Sequence, residues 1–389
     1  MTSLGNFLRT ASILIGSLAF GPLVAQHEGH DHPAGDPQQH DVGAVHEHAS
    51  GTQDHGTAEK FNPGKMIMDH IGDEHGWHLW GHTSIPLPVI LFDTERGLQL
   101  FSSSRFDHGH ASYNGYALVE HTVVAVVDAK ANMHAPFTVD ETATANIWDI
   151  SITKNVVSLF VSLGILLIIF ISVAKAYTRR AGQAPTGLQN LVEPIILFVR
   201  DDIAKSAIGE HKYMKFMPYL LTAFFFIFLN NLMGLVPFFP GGANLTGNIA
   251  ITLVLALITF VVVTINGNKN YWGHILAMPG VPKWVLIILT PVEILGMFLK
   301  PFVLMIRLFA NITAGHIIAL SFFSLIFVFG ETNAGAGYGV SIMSLAFTVF
   351  MAMLELLVAF IQAYVFTFLS AMYIGAAMEE HHEHKESII

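Results

Sequence analysis

Arg307 stands in the run PFVLMIRLFANIT, with apolar residues on both sides. A charge at the centre of a bilayer costs roughly 2.5–3.5 kcal/mol on insertion scales. An arginine there needs a partner or a purpose. One explanation is a structural ion pair within the chain, for which Glu355 in the next apolar stretch is available. The other is a fixed cation beside an ion path. Helical geometry arranges its neighbours. At ~100° per residue, Asn311 lies ~40° around from Arg307 and one turn further on, whereas His316 falls on the opposite side. Lys300 and Glu293 lie within ~40° of the Arg307 stripe, roughly 10 and 21 Å back along the helix. Glu355 and Gln362 share a face about 10 Å apart. A histidine titrates near neutral pH, and burial raises a carboxylate toward the same range. Together these residues read as a proton path, with Arg307 as a fixed positive charge beside it. Each has a plainer use. Asn311 and Gln362 serve equally as hydrogen-bond partners between helices, and Glu293, near the end of its run, could simply face water.

The elements that carry these residues are membrane spans. The chain has 389 residues, 52% hydrophobic and 12% charged, with a mean hydropathy of +0.53. A soluble domain carries about 25% charged residues. The net charge of −10 sits mostly in residues 26–149, which hold eighteen acids, five Lys or Arg and fifteen of the 21 His. That balance gives no support for a nucleic-acid partner, which needs a basic face. The absence of cysteine excludes disulfides, thiolate metal sites and Cys nucleophiles.

Val156–Ala174 is uncharged over 19 residues, enough to cross ~30 Å of hydrocarbon. Residues 175–215 then carry seven Lys or Arg against four acids, which places this loop in the cytoplasm. Within it, Leu188, Leu191, Ile195, Val199 and Ile203 fall at helical spacing, predicting an amphipathic helix on the membrane surface. Phe216–Phe239 and Ile249–Ile265 are the next spans. Two longer apolar stretches follow, Trp284–Phe329 and Ser341–Met378, with a Gly-rich turn, GAGYG, between them. Each is nearly twice what a perpendicular crossing needs, so both must tilt, bend or overrun the bilayer. Pro291 and Pro301 permit bending in the first.

The expected fold class is an all-α polytopic membrane protein. It has five transmembrane helices, two of them long and tilted, and an amphipathic surface helix. Residues 1–25 read as a signal peptide, with Arg9 as its positive start and Ala25 before the cleavage point; an extra span is the alternative. Residues 26–59 are a His-rich segment too polar to fold. Residues 60–149, with HTSIPLPVILF, GLQLFSS and YALVEHTVVAVVD, predict a small β-rich domain outside the membrane. Residues 150–380 form the membrane domain, and residues 381–389 a cytoplasmic tail. Five crossings from an outside N-terminus give that topology.

The segment LKPFVLMIRLFANITAGH resembles the signature of ATP synthase subunit a, with its essential Arg and an Asn four residues on. Glu355 and Gln362 are similar to that family's final-helix pattern, a titratable residue seven before a Gln. NLMGLVPFF and ANLTGNIAITL resemble its second-to-third span turn. The likeness covers residues 150–380. Some members have Glu in place of His316 and His in place of Glu355, so the pair is exchanged here, and Gly234 stands where some members carry an acid. The N-terminal extension resembles a form found in bacteria of the Bacteroidetes type. The resemblance implies a non-catalytic channel subunit in the bacterial inner membrane. Its partners would be a ring of c subunits, a b-subunit peripheral stalk and the other synthase subunits. Protons would reach a ring carboxylate through His316, Glu355, Gln362 and Asn311, meet Arg307, and leave past Glu293. No cofactor or metal is implied. The chain has no GxxxxGK[ST] loop, so ATP chemistry belongs to other subunits.

Two other readings compete. The His-rich tract from His27 to His55 suits weak Zn²⁺ or Cu²⁺ capture by a transporter, but the spans offer isolated titratable groups rather than ligand pairs. A membrane anchor for a β-domain partner leaves Arg307, His316 and Glu355 without a use.

Overall fold

Long runs without charge must bond their own backbone groups in lipid, and helices do so within one segment. A computed structural model describes residues 61–80, 83–127, 137–236, 241–278 and 280–379. The expected signal peptide, His-rich segment and C-terminal tail lie outside the described residues. Among the described residues, five helices are long and apolar enough to cross a membrane.

The N-terminal region begins with helix α1 (Pro63–Ile71), started by Asn62, whose side chain accepts from the Lys65 N–H. Among the described residues seven short strands follow: β1 (Gly76–Trp80), β2 (Thr83–Pro86), β3 (Pro88–Asp93), β4 (Gly97–Ser102), β5 (Tyr116–Val119), β6 (Thr122–Ala125) and β7 (Ile147–Asp149). They form three small antiparallel sheets, β1–β2, β4–β3–β7 and β5–β6, and a short helix α2 (Glu141–Ala145) precedes β7. The β-rich expectation is met; α1 was not foreseen. Val89, Leu91, Phe106, Tyr116, Val123 and Ile147 make the core. Inside it, the Tyr116 hydroxyl donates to Asp93 at 2.7 Å.

Helix α3 (Lys154–Arg179) follows directly. Its Thr153 cap makes no side-chain bond to the first turn. Instead Asp73 accepts from the Asn155 N–H at 3.1 Å and from the Thr153 hydroxyl at 2.9 Å. The Lys154 N–H donates to the Glu74 carbonyl at 2.9 Å. The N-terminal region thus satisfies donors that a helix start leaves open.

Helix α4 (Leu188–Phe198) runs into a π-helical stretch (Val199–Lys205) and a last turn, α5 (Ser206–Ile208). This corrects the predicted surface stripe. Leu188 and Leu191 are exposed, whereas Val192, Val199, Ile203 and Ala204 are buried. The wider π turn shifts the side-chain phase between the two halves, so one regular stripe cannot describe both. The buried set packs in the main helical core with α6 (Tyr213–Leu235), which ends short of the expected Phe239. Helices α7 (Ile249–Asn266) and α8 (Lys269–Leu276) follow.

The last two helices are α9 (Lys283–Thr332, 50 residues) and α10 (Ala334–Met378, 45 residues). Pro291 and Pro301 both lie within α9. The expected GAGYG turn is corrected. The corner is Asn333 alone, extended at φ −161° and ψ 131°, and GAGYG lies in the first turns of α10. Asn333 ends one helix and starts the next, its side chain accepting from the Gly335 N–H at 2.8 Å. The glycines serve packing instead: a Cβ on Gly337 would stand 2.8 Å from the Gly330 Cα. Outside the corner, Phe61 donates its N–H to Glu331 Oε1 at 2.6 Å, and its ring lies 5.1 Å from that of Phe327.

The Tyr116–Asp93 bond carries a pH signature. Burial, and then the Asp93 carboxylate, push the Tyr116 hydroxyl up to about 12. A raised acid favours the neutral form, so this stabilisation is complete below the ordinary tyrosine range near ~10 and is lost as pH rises toward the folded value. Tyr116→Phe should weaken the N-terminal region by roughly 1–3 kcal/mol at neutral pH, since Asp93 loses a buried partner. Proteolytic protection of that region in the full chain measures this. The gap between wild type and variant should narrow only on the alkaline side above pH ~10. A gap that stays constant there would mean the hydroxyl bond is not what stabilises the core.

Candidate functional site

Contacts across the hairpin fix its register. The Phe322 and Phe347 rings stack at 5.1 Å, and the Ser344 hydroxyl donates to the Phe322 carbonyl. Further along, His316 meets Glu355, and Lys300 lies over the Tyr373 ring at 5.6 Å. The same antiparallel register carries Gln362 to a level between Arg307 and Asn311.

His316 and Glu355 come together. His316 Nδ1 and Glu355 Oε1 are 3.3 Å apart, with side chains only 13% and 12% exposed. Glu355 Oε1 accepts no aligned hydrogen bond, so the two groups touch without a directed bond. One glycine makes room for them. A Cβ on Gly315 would stand 2.7 Å from Glu355 Oε1, whereas one on Gly234 would meet His316 Nε2 at an ordinary contact distance of 3.6 Å.

Arg307 does not join Glu355. Among the described residues no carboxylate forms an ion pair with it, and its side chain is exposed on the outside of the hairpin. On the same side of α9, one turn back, Val303 is apolar and exposed too. Asn311 is also exposed, while Gln362 is buried. Arg307 thus presents its charge on a surface that the described residues leave uncovered. Glu293 is half-buried and stands two helical turns beyond Lys300. It makes no ion pair among the described residues and is not brought to the His316–Glu355 pair.

Behind the pair lies a polar group not named by the sequence reading. Asn231 donates to the Ala359 carbonyl at 3.3 Å, one turn past Glu355 on α10, and accepts from the Thr246 hydroxyl at 2.5 Å. Asn230 donates to the Phe226 carbonyl at 2.7 Å, and its own carbonyl oxygen is buried without a protein partner. The signal was present as two adjacent asparagines inside an apolar run. A second polar set lies toward the start of α9. Tyr219 and Thr259 hydroxyls are 2.6 Å apart, and Ser370 stands 3.4 Å from Thr259. A small cavity beside them is lined by Thr259, Tyr271, Lys300, Leu304 and Tyr373.

Long apolar helices carrying a largely buried histidine–carboxylate pair and an exposed cation define a polytopic membrane protein. A family described as ATP synthase A chain matches residues 156–375. A second, described as a domain of unknown function, matches residues 66–150. Among curated relatives, ATP synthase subunit a of Chloroherpeton thalassium is 45% identical over 243 residues, covering 61% of this chain and 69% of the relative. ATP synthase subunit a 2 of Chlorobaculum tepidum is 47% identical over 61% of this chain and 66% of its own length. ATP synthase subunit a of Chlorobium phaeobacteroides BS1 is 35% identical over 98% of this chain and 96% of its own. The chain belongs to the ATP synthase subunit a family. That family supplies the proton-translocating stator subunit of the F-type ATP synthase, a multi-pass protein of the bacterial inner membrane that is not itself catalytic.

The tight fit at Gly315 is testable. Gly315→Val should displace the Glu355 carboxyl and slow ATP-driven proton pumping by about tenfold or more, as misplacing a reacting group by ~1 Å costs up to ~100-fold. Gly296→Ala, where an added Cβ meets nothing within 4 Å, should pump normally. Both are read by acidification of inverted vesicles at matched levels of assembled complex. Normal pumping by Gly315→Val would remove the Glu355 position from the path.

Proposed function

We propose that α9 and α10 form the stator wall of two proton half-channels, with Arg307 between them. The observation that carries this is the exposed Arg307 guanidinium, which has no carboxylate partner among the described residues of its own chain. A charge left so in hydrocarbon is costly. A ring of c subunits, each with a membrane carboxylate, supplies the missing partner in succession. The uncovered apolar face around Arg307 suits a moving neighbour, since apolar contacts are non-directional and slide without breaking bonds.

In this reading the N-terminal region faces outside and the C-terminus the cytoplasm, with five crossings between. Protons enter from the outer side. His316 and Glu355 exchange them at contact distance, and Gln362 and Asn311 lead on to the ring carboxylate at the level of Arg307. Asn231 and Thr246 hold α10 along this stretch. A protonated carboxylate is neutral and crosses the lipid face at low cost. After nearly a full turn it approaches Arg307 from the other side. The positive charge lowers its pKa, and the proton leaves. Glu293 lines the way to the cytoplasm. Arg307 also repels protons that would pass straight between the half-channels. A lysine does this less well, because it can lose its proton when desolvated. The b-subunit peripheral stalk holds the chain against the torque.

Arg307→Ala in inverted vesicles tests the separator role. ATP-driven acidification should fall to background with the complex assembled, and passive leak should rise once the catalytic head is stripped. Arg307→Lys should retain only part of the pumping. Wild-type pumping by Arg307→Ala would return Arg307 to a structural role.

A further inference from the structure

Side chains alternate between the two faces of a sheet, and a small antiparallel sheet with one face in the core normally shows water a polar second face. The sheet β4–β3–β7 does not. Val89, Leu91 and Ile147 point into the core. On the other face, Phe92 pairs with Leu98 on one side and Trp148 on the other. One row along, Ile90 pairs with Leu100, and its carbonyl accepts from the Ile150 N–H. The outcome is a grid of six apolar side chains in two rows of three. Leu98, Leu100 and Ile150 are 67%, 69% and 63% exposed, although Leu and Ile are residues that folding usually hides. No charged side chain interrupts the grid. A contiguous exposed apolar patch of this kind marks a contact site.

The connection to α3 limits what can cover it. Pairing with β3 continues past β7: Ser151 Oγ accepts from the Ile90 N–H at 3.0 Å, and the Ile152 N–H donates to the Pro88 carbonyl at 3.2 Å. Helix α3 starts two residues later, at Lys154. At ~3.3 Å per residue, Ile150 lies within ~13 Å of that start and Trp148 within ~20 Å. Asp73 ties the joint by bonding both Thr153 and Asn155, so the sheet cannot swing freely away. The headgroup layer is ~5–8 Å thick on each side of the hydrocarbon, and tryptophan concentrates there. Below the joint, α3 continues with exposed Phe160, Leu167 and Ile171.

The geometry points to a lipid surface as the occupant: this sheet face rests on the bilayer interface beside α3. The apolar grid and the exposed side of α3 then form one continuous lipid contact, interrupted only at the strand-to-helix joint. The assignment rests on α3 being a span, and not on the half-channel reading. Its role is anchorage. Seated on lipid, the sheet gives the N-terminal region a second hold on the membrane, besides the Phe61 contacts on α9.

The chain has no cysteine, so single labels are clean in it. Leu98→Cys and Leu100→Cys, each carrying a nitroxide, are assembled into the complex in phosphatidylcholine–phosphatidylglycerol vesicles. Glu141→Cys, at an exposed position in the same region, is the control. Collisions are measured with oxygen, which concentrates in lipid, and with a water-soluble nickel chelate. Oxygen should dominate at Leu98 and Leu100, and nickel at Glu141. Dominant nickel collisions at Leu98 and Leu100 would mean that water covers the face, and overturn the proposal. Exclusion of both reagents would mean that another protein covers it, and overturn the proposal equally.

Discussion

The price of placing one positive charge in hydrocarbon governs this protein. Arg307 cannot lie against lipid alone, and Glu355 is engaged elsewhere, beside His316. The hairpin therefore keeps its acid and its base in contact inside, and its cation outside. That separation is chemically useful. Had Arg307 paired with Glu355, the carboxylate would be held ionised, a poor proton acceptor, and the fixed charge of Arg307 would be neutralised. The reach of the site beyond this chain follows from the same constraint.

Glycines set the distances at which this works. Gly315 leaves space for the Glu355 carboxyl, Gly337 lets the two helices touch at Gly330 near the corner, and Gly375 accepts the Ala207 carbonyl where any Cβ would overlap it. In lipid the hydrophobic effect does not drive helices together, so close backbone approach and buried hydrogen bonds must. Asn231 supplies one such bond to the Ala359 carbonyl, one turn from Glu355. Asn231 thus fastens α6 to α10 beside the His316–Glu355 pair. A steric change at Gly315 acts on the pair without touching that bond.

The N-terminal region is joined to the membrane part by bonds that a flexible leader would not make. Asp73 completes the start of α3, and Phe61 engages both Phe327 and Glu331 at the far end of α9. The first span and the long hairpin are therefore held from the same side by one small folded unit. Its core includes a buried tyrosine–carboxylate bond, and that bond ties β3 to β5.

Much of this was legible in the sequence. The uncharged runs fixed the helices, because lipid leaves the backbone no other way to satisfy its own groups. Short apolar stretches between turn residues marked most of the strands, and Arg307, His316 and Glu355 stood out because each is expensive where it lies. Periodicity also put His316 and Arg307 on opposite sides of one helix. The tertiary structure decided the rest. Which acid meets which base depends on the register between α9 and α10, and that register is set at Asn333 and by glycine contacts that no single-helix pattern contains. The GAGYG segment reads as a turn by composition, yet it is helical, since glycine also permits close helix contact. The stripe from Leu188 to Ile203 failed because a π turn changes the angular step that the pattern assumes. Asn231 gains meaning only once Ala359 and Thr246 are brought to it. Sequence determined which groups are costly, and packing alone determined what each of them faces.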